Sequence, residues 1–397
     1  MKCGLKFKML KDDVERIQTP KVILIGGGVL TETGEILHNL ALSKPLIVTD
    51  QTLVKIGHAS KLINILNGSG INSVIFDGTI PEPTDKCLAM GLNTFKLHKF
   101  DCVIGLGGGS CLDMAKAISA MSVNHGHVRK YKHPKQINKS GVPIILIPTT
   151  GGTGSELTKW CVISDTKLNE KYNLSGLALV ATAAIIDWKL TLTTSRRITA
   201  DTAIDSLTHA IEAFVSKKAT LFSDQLALKA IPLIVKNIEK AFKHPKDPLA
   251  RQALMRGASL AGLAFSNSSV ALVHGMSRPI GANFHIPHGL SNSMLLAEVT
   301  NFSIDHAKER YAECAIAAGW ANSTENKSMA CQNLVENLRR LQTTLEVPRL
   351  ADFVSKRSAF FNIIPIMVNQ AMESGSPQNN PRVPTKKNLV TLYKSIW

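Results

Sequence analysis

The first half of the chain alternates short apolar runs with segments of helical periodicity. Each run holds four or five residues, is rich in β-branched side chains and leads into turn residues. Continuous apolar runs predict strands that are covered on both faces, and strands that alternate with helices predict a parallel, doubly wound sheet. The predicted strands are Lys21 to Ile25, Pro45 to Thr49, Ser73 to Phe76, Cys102 to Gly105, Pro143 to Ile147 and Ala184 to Asp187.

Beyond residue 195 the pattern changes to long stretches with apolar residues at helical spacing. We therefore predict an α/β domain with a mostly parallel sheet over residues 1–195 and an all-α domain over residues 196–397. The polar stretch from Glu373 to Lys387 predicts a surface loop before a final short helix. The clearest predicted helices are Ala203 to Val215, Leu226 to Phe242, Ala250 to Ala264 and Met329 to Leu345.

Composition agrees with a folded, two-domain protein. Of 397 residues, 44% are hydrophobic and 19% are charged, and a chain of this length exceeds what a single core usually fills. No apolar stretch reaches the ~20 residues of a membrane helix, and Met1 to Lys21 lacks the apolar block of a signal peptide. The seven cysteines form no CxxC pair, which argues against a disulfide framework or a thiolate zinc site. We expect a cytoplasmic protein without a membrane anchor.

The charge balance is unusual, because 46 Lys and Arg against 30 Asp and Glu give a net charge of +16. Such an excess favours an anionic partner, which nucleic acid, a membrane surface or a phosphorylated small molecule could supply. The densest basic run, from His125 to Lys135, is either a solvated loop or a binding patch. Because Tyr131 is its only aromatic residue, base stacking is not favoured, and we expect no nucleic-acid partner.

Two glycine-rich loops follow predicted strands. Leu106 to Ser110 leads into a predicted helix, and Pro148 to Glu156 follows the next strand. Glycines let the backbone approach a ligand closely, and free N–H groups at the start of a helix favour an anion such as pyrophosphate. One such loop could serve packing alone, but ligands of open α/β sheets bind beyond the carboxyl ends of strands, where both loops lie. The two loops together indicate a dinucleotide site.

Asp50 comes directly after the second predicted strand. A carboxylate at this place binds the ribose hydroxyls of NAD and repels the 2′-phosphate of NADP. The same residue could instead cap the helix that begins before Leu53. The sequence supports both interpretations.

Candidate metal ligands lie in the second half. Asp205 and His209 are four residues apart in a predicted helix, so they share one face, either as a chelating pair or as an ordinary surface pair. His274 lies in an apolar stretch, and His288 lies between proline and glycine, where a turn can direct it inward. Three imidazoles and one carboxylate suit Fe²⁺ or Zn²⁺ and leave room for a substrate oxygen.

Four motifs carry a family resemblance: GGGSxxDxxK from Gly107 to Lys116, PTTGGTGSE from Pro148 to Glu156, DxxxHAIE from Asp205 to Glu212, and HGM with IPHG between His274 and Gly289. In this order and spacing, the chain resembles the iron-containing alcohol dehydrogenase family over nearly its whole length. The resemblance implies a dehydroquinate synthase-like fold, with an N-terminal dinucleotide-binding α/β domain, a C-terminal all-α metal-binding domain and a cleft between them. It also suggests a homodimer.

The resemblance implies roles for individual residues. Many members of the family have a histidine near the nicotinamide where this chain has Arg278, and a fixed cation there either contacts an anionic substrate group or pairs with a carboxylate. The sequence assigns no general base. The implied metal ligands are Asp205, His209, His274 and His288. The implied cofactor contacts are Asp50, Gly107, Gly108, Gly109, Ser110, Asp113, Thr149, Thr150, Thr153, Lys171 and Leu190.

The activity implied by the resemblance is that of a metal-dependent NAD(H) oxidoreductase, which interconverts a small primary alcohol and its aldehyde by hydride transfer. The cation, Fe²⁺ in preference to Zn²⁺, would polarise the substrate oxygen. The alternative on the same fold is a reductase of an acidic carbonyl substrate, such as a maleylacetate-like or phosphonate-bearing aldehyde, which Arg278 would suit. A nucleic-acid-binding protein that has lost catalysis is least favoured, since all four metal ligands are present.

Overall fold

Six parallel strands form one sheet in the first half of the protein. The computed structural model describes residues 14–168 and 170–397, so Cys3 and most of the segment from Met1 to Lys21 lie outside the described residues. Numbered along the chain, the strands are β1 (Val22–Gly26), β2 (Pro45–Val48), β3 (Val74–Phe76), β4 (Cys102–Gly107), β5 (Ile144–Pro148), β6 (Trp160–Asp165), β7 (Glu170–Ser175) and β8 (Ala183–Asp187). The sheet has the order β1-β8-β5-β4-β2-β3, and β6 pairs with β7 in a separate antiparallel hairpin.

The six strands of the sheet confirm the predicted strands, with ends displaced by at most two residues. Helices cover both faces of the sheet, which explains why β2, β4, β5 and β8 are buried along their whole length. Leu37 and Leu62 pack on one face, and Leu88 and Leu112 pack on the other. The helices of this half are α1 (Thr33–Asn39), α2 (Gln51–Lys55), α3 (His58–Gly68), α4 (Asp85–Leu97) and α5 (Gly109–Met121).

The hairpin of β6 and β7 is a feature that the sequence analysis did not predict. Its buried side chains, Cys161, Ile163, Tyr172 and Leu174, alternate with polar or half-buried ones and join the core on the α4 and α5 face of the sheet. Each strand offers only two such positions, so the two-residue period is too short to stand out from its surroundings. The hairpin carries Lys171 to the edge of the helical half.

The second half is helical, as predicted, and no strand follows β8 among the described residues. Its central helix begins at Arg196, and 16 of its 20 residues are buried. The Oγ atom of Ser195 accepts a hydrogen bond from the backbone N–H of Ile198 and so caps this helix. The helices are α6 (Arg196–Val215), α7 (Leu221–Val235), α8 (Ile238–Lys243), α9 (Pro248–Ser266), α10 (Leu272–Phe284), α11 (His288–Ser303), α12 (Lys308–Ala318), α13 (Lys327–Thr344), α14 (Arg357–Glu373) and α15 (Lys386–Ser395).

Two predictions for the second half were wrong in detail. The stretch from Leu226 to Phe242 is not one helix, because α7 ends at Val235 and α8 starts at Ile238. The stretch from Glu373 to Lys387 contains the loop before the final helix, but the middle of this loop is not on the surface. Asn380 is 1% exposed there, and its amide donates a hydrogen bond to the Ser303 hydroxyl. Polar side chains that bond one another in the interior look like surface residues in a sequence.

The basic run from His125 to Lys135 packs against the hairpin and is partly neutralised there. Arg129 donates to the carboxylates of Asp165 at 2.7 Å and Glu170 at 3.0 Å, and Lys132 also pairs with Glu170. Such ion pairs indicate a folded loop rather than an array of free cations. In the part of the chain that the structure describes, no helix combines the length and apolarity needed to cross a membrane.

Candidate active site

The two predicted glycine loops face each other at the carboxyl ends of β4 and β5. A Cβ atom at Gly108 would lie 3.6 Å from Cγ2 of Thr150, and one at Gly109 would lie 2.9 Å from Cγ2 of Thr153. Gly107 adopts φ = 152°, which leads the chain from the end of β4 into α5, and Ser110 lies in the first turn of that helix. The backbone N–H of Thr149 donates to the Gly107 carbonyl at 2.9 Å. Glycine backbone and threonine hydroxyls therefore line one crevice at the start of a helix, which is an arrangement that suits a pyrophosphate.

The second glycine loop also contacts the helical half. A Cβ atom at Gly152 would lie 2.3 Å from Cβ of Thr202 on α6, and one at Gly154 would lie 2.7 Å from Cα of Gly262 on α9. Ser206, also on α6, donates its hydroxyl to the Gly152 carbonyl at 3.2 Å. Glycine is required here because two backbones approach more closely than any side chain permits. This packing holds the crevice next to the helix that carries Asp205 and His209.

Lys171 connects the cofactor crevice with the helical half. Its ammonium group pairs with the carboxylate of Glu82, and the backbone N–H of Glu82 donates to the Ser110 hydroxyl at 3.2 Å. On the other side, Nζ of Lys171 lies 2.7 Å from the place that a Cβ atom of Gly281 on α10 would take. Lys171, which was predicted to contact the cofactor, thus lies at the crevice, but its ammonium group is paired with the carboxylate of Glu82.

Asp50 lies beside the same crevice and also caps a helix. Its Oδ1 atom accepts the backbone N–H of Leu53 at 2.9 Å, which caps α2. Its Oδ2 atom lies 3.4 Å from Sγ of Cys111, a residue in the first turn of α5. The helix cap is therefore present, and the carboxylate also lies next to the glycine loop, where it can reach a ribose.

The half-buried Asp113 and the buried Leu190 both make their contacts within the protein. Asp113 accepts hydrogen bonds from the Ser155 hydroxyl at 2.6 Å and from the backbone N–H of Val162 at 2.9 Å. The buried ammonium of Lys116 holds the same loop through the carbonyl and hydroxyl of Ser155. Leu190 is 1% exposed and belongs to the core on the α1 and α3 face of the sheet. Both residues support the loops from behind.

Four side chains from three helices come together in the helical half, and the ligand atoms of Asp205, His209 and His274 lie within 4.8 Å of one another. Asp205 and His209 come from α6, His274 comes from α10, and His288 begins α11. The Oδ1 atom of Asp205 lies 3.9 Å from Nε2 of His209, 3.7 Å from Nε2 of His274 and 3.8 Å from Nε2 of His288. The ring of His209 stacks on Phe265, with centroids 4.2 Å apart. Packing of the rings fixes the directions of their nitrogen atoms.

These distances fit four ligands of one cation. Atoms bound about 2.1 Å from a tetrahedral metal lie about 3.4 Å from one another. The three imidazole nitrogens lie within 3.9 Å of one carboxylate oxygen, which is close to that spacing, and Asp205, His209 and His274 form the tighter group. A donor set with three nitrogens favours a transition metal such as Fe²⁺ or Zn²⁺ over Mg²⁺ or Ca²⁺, which prefer oxygen ligands.

Burial and neighbouring charge keep two of these side chains, His209 and Asp205, in forms that can bind a metal. Burial lowers the pKa of His209 to about 4, so its ring is neutral at pH 7. Burial opposes ionisation of Asp205, but the neighbouring rings of His209 and His288 hold the pKa of that carboxyl below its ordinary value. A neutral imidazole and an ionised carboxylate each present a lone pair to a cation.

Glu212 is a functional residue that the sequence analysis quoted within a motif without giving it a role. Its Oε2 atom lies 2.7 Å from Nδ1 of His274 and accepts the backbone N–H of Ala271 at 2.8 Å, and Oε1 accepts the N–H of Val273. Glu212 lies seven residues after Asp205, on the same face of α6, and this spacing is the signal that could have identified it. It connects α6 to the first turn of α10.

Arg278, one turn after His274 on α10, lines a cleft between the hairpin of β6 and β7 and helices α10 and α14. The residues that line this cleft include neither the glycine loops nor Asp205, His209, His274 and His288. Its Nη1 atom donates to the Ser376 hydroxyl at 2.8 Å, and no carboxylate of the described residues lies within 4.0 Å of its guanidinium. Burial lowers the pKa of Arg278 to about 10, so the side chain stays charged at pH 7. Lys171 and Tyr172 of the hairpin line the same cleft. Pairing with a carboxylate, one of the two roles expected for Arg278, is thus not found among the described residues.

Comparisons with known proteins give a consistent result. The family described as "Iron-containing alcohol dehydrogenase" matches residues 20–188, and the one described as "Fe-containing alcohol dehydrogenase family, C-terminal" matches residues 199–397. Long-chain-alcohol dehydrogenase 1 of Geobacillus thermodenitrificans is 37% identical over 90% of this chain and 91% of its own. The NAD-dependent methanol dehydrogenase of Bacillus methanolicus is 32% identical over 95% of this chain and 98% of its own. A crystal structure of 1,3-propanediol oxidoreductase superposes with a TM-score of 0.93 at 28% identity, covering 97% of this chain and 100% of that one.

Proposed function

Because the chain belongs to the iron-containing alcohol dehydrogenase family and is an NAD-dependent dehydrogenase of that type, we propose that it interconverts small primary alcohols and their aldehydes in the cleft between its halves. The observation that carries this proposal is the meeting of Asp205, His209, His274 and His288 beside two facing glycine loops. The proposed boundary between the dinucleotide-binding domain and the metal-binding domain lies between residues 195 and 196.

The proposed metal ligands are these four side chains, and the proposed ion is iron, with zinc as the alternative. A divalent cation bound there supplies Lewis acidity to the substrate oxygen, and NAD supplies a hydride acceptor. The chain itself orients the reactants. The helical half fixes the ligand directions by burial, and the close packing of Gly152 on α6 keeps the cofactor loops next to them.

The proposed cofactor site begins with Gly107, Gly108, Gly109 and Ser110, whose backbone would bind the pyrophosphate. Thr149, Thr150 and Thr153 line the opposite side of the crevice, and Asp50 and Lys171 lie at its margins. We assign Asp113 and Leu190 to its support, because the carboxylate of the first is used by Ser155 and Val162 and the side chain of the second is in the core.

The proposed role of Arg278 is to donate a hydrogen bond to a substrate oxygen. Its charged guanidinium lies one turn after a proposed metal ligand on α10 and has the Ser376 hydroxyl as its hydrogen-bond acceptor. A charged donor of this kind suits a neutral alcohol as well as an acid. The alternative, an acidic carbonyl substrate, is not favoured, because the three relatives described above are named for a long-chain alcohol, methanol and 1,3-propanediol, all of which are neutral.

We also propose a homodimer in a reducing cytoplasm. Strand β1 is one of the two edge strands of the sheet, and two of its apolar side chains, Val22 and Ile25, are exposed. An edge strand of this kind can pair with a second copy. All six cysteines among the described residues are free and buried, which fits a reducing compartment.

Metal-dependent turnover tests the proposed function. Chelated protein is supplied with Fe²⁺ or Zn²⁺, and NADH oxidation is followed on a panel of neutral and anionic aldehydes. We expect activity with NADH that needs the metal, one bound ion per chain, and loss of both in Asp205→Ala but not in Asp305→Ala, which changes an exposed carboxylate of the same half. Wild-type protein that binds neither ion, or that turns over at the same rate after Asp205→Ala, would contradict the proposal.

A further inference from the structure

Asn292 lies beside three of the four proposed metal ligands, although no motif pointed to it. It is on α11, one turn after His288, and its side chain is fully buried. Its amide nitrogen Nδ2 lies 2.7 Å from Oδ1 of Asp205, 3.3 Å from Nε2 of His274 and 3.2 Å from Nε2 of His288. The amide therefore touches three of the four ligands, and of these contacts only the one with Asp205 leaves the ligand atom a lone pair for a cation.

The shortest of these three contacts is the hydrogen bond from Nδ2 of Asn292 to Asp205. Its acceptor is the carboxylate oxygen that lies nearest the three histidines. Oδ1 of Asp205 is the atom from which the three Nε2 distances of 3.7–3.9 Å are measured. A carboxylate oxygen has two lone pairs, so it can accept one amide N–H and still present the other pair to a cation. A hydrogen bond to an ionised group in a buried place is strong enough to hold that group in one orientation.

The other end of the same amide argues against a purely structural role. Oδ1 of Asn292 is buried, and no donor of the described residues reaches it. An unsatisfied buried carbonyl is unfavourable by about 1–3 kcal/mol, so a residue kept only for packing would be better apolar. Asn380, a buried asparagine elsewhere in this half, donates its amide to Ser303 and to the Arg382 carbonyl, far from any proposed ligand.

We propose that Asn292 is a positioning residue of the metal site. Its Nδ2–H group donates a hydrogen bond to Oδ1 of Asp205 and holds this oxygen next to the Nε2 atoms of the three histidines. This inference rests on the proposed function, because it presupposes that these four side chains bind a cation. Residues that orient ligands in this way commonly change metal affinity by about 10–100-fold when they are replaced.

Binding of Co²⁺ alone, without substrate or cofactor, tests this role. Asn292→Leu keeps the approximate size and removes the amide, Asn292→Ser keeps a small polar side chain, and Asn380→Leu is the matched control for a buried asparagine. Affinity is measured by competition with a chromophoric chelator, and the visible absorption of bound Co²⁺ reports the ligand geometry. We expect about 10–100-fold weaker binding and a shifted Co²⁺ spectrum in the folded Asn292 variants, and no change in Asn380→Leu.

The outcomes separate the two proposals. If a folded Asn292 variant binds Co²⁺ with the affinity and spectrum of the wild type, the positioning role is wrong, and the metal site itself stands. If the wild type binds no Co²⁺, the proposed function fails first. Melting of the metal-free proteins shows which variants are folded, and the serine variant decides the matter if leucine does not pack.

Discussion

The carboxylate of Glu212 and the imidazole of His274 share a buried hydrogen bond, with Oε2 lying 2.7 Å from Nδ1. A carboxylate only accepts, so Nδ1 carries the proton and Nε2 keeps its lone pair. That lone pair faces Asp205, at 3.7 Å from its Oδ1 atom. Glu212 thus selects the tautomer of His274 that can bind a cation, and it also anchors the start of α10 through the N–H groups of Ala271 and Val273.

Replacing Glu212 by glutamine should weaken metal binding about tenfold or more. The amide oxygen can still accept from Nδ1, but it lacks the charge that makes the imidazole a better ligand. The dissociation constant for Zn²⁺, measured against a chelator, checks this expectation. Glu239→Gln changes a surface carboxylate of the same half and should leave the constant unchanged. Equal constants for Glu212→Gln and the wild type would show that His274 does not need this partner.

The sequence predicted the sheet and the first two proposed ligands because both depend on local patterns. The continuous apolar run of β5 and the spacing of Asp205 from His209 are visible without any knowledge of distant contacts. Residues four apart in a helix must share a face, so the first two ligands were close by geometry alone. His274 and His288 lie 65 or more residues away from His209, and only the motif suggested that the fold unites them.

The parts that the sequence did not reveal depend on contacts between distant segments. Glu212 and Asn292 look like ordinary helix residues until α10 and α11 pack against α6. The hairpin that carries Lys171 to α10 has too few apolar positions for its period to be recognised. The pairing of Lys171 with Glu82 joins positions 89 residues apart, so no local pattern encodes it.

Replacing Asp50 should separate its two roles. Asp50→Asn removes the charge but keeps a side chain that caps helices well, whereas Asp50→Ala removes both. If the carboxylate repels the 2′-phosphate of NADP, both variants should raise the NADP to NAD ratio of kcat/KM by about tenfold, which corresponds to ~1.4 kcal/mol. Only Asp50→Ala should lose ~1 kcal/mol in urea unfolding, because only it loses the bond to Leu53. If both variants kept the wild-type NADP to NAD ratio, the only role of Asp50 would be to cap α2.

Replacing Lys171 by methionine should raise the KM for NAD by about tenfold while kcat changes little. The substitution keeps the buried alkyl chain and removes the ammonium group. In the wild type we expect this group to leave Glu82 and bind the cofactor when NAD is present. One charged hydrogen bond stabilises a complex by ~1.5–3 kcal/mol. Steady-state kinetics with varied NAD measures the effect. Lys132→Met, which removes a cation paired with Glu170 at the same cleft, is the control. A KM that both variants leave unchanged would make the Lys171 pair purely structural.

Replacing Glu156 by glutamine should stabilise the protein at high pH and not at low pH. Burial raises the pKa of Glu156 from its ordinary 4.5 to about 7, so the fold favours the neutral acid. The contribution of Glu156 to the free energy of unfolding is complete below pH 4.5 and is lost as the pH rises through about 7. The total loss in unfolding free energy is ~3 kcal/mol. Glutamine does not ionise, so the unfolding free energy of Glu156→Gln should exceed that of the wild type increasingly from pH 5 to pH 8. Urea unfolding at these pH values checks the trend, with the exposed Glu336→Gln as control. A difference between variant and wild type that stays constant with pH would contradict a neutral Glu156 in the folded protein.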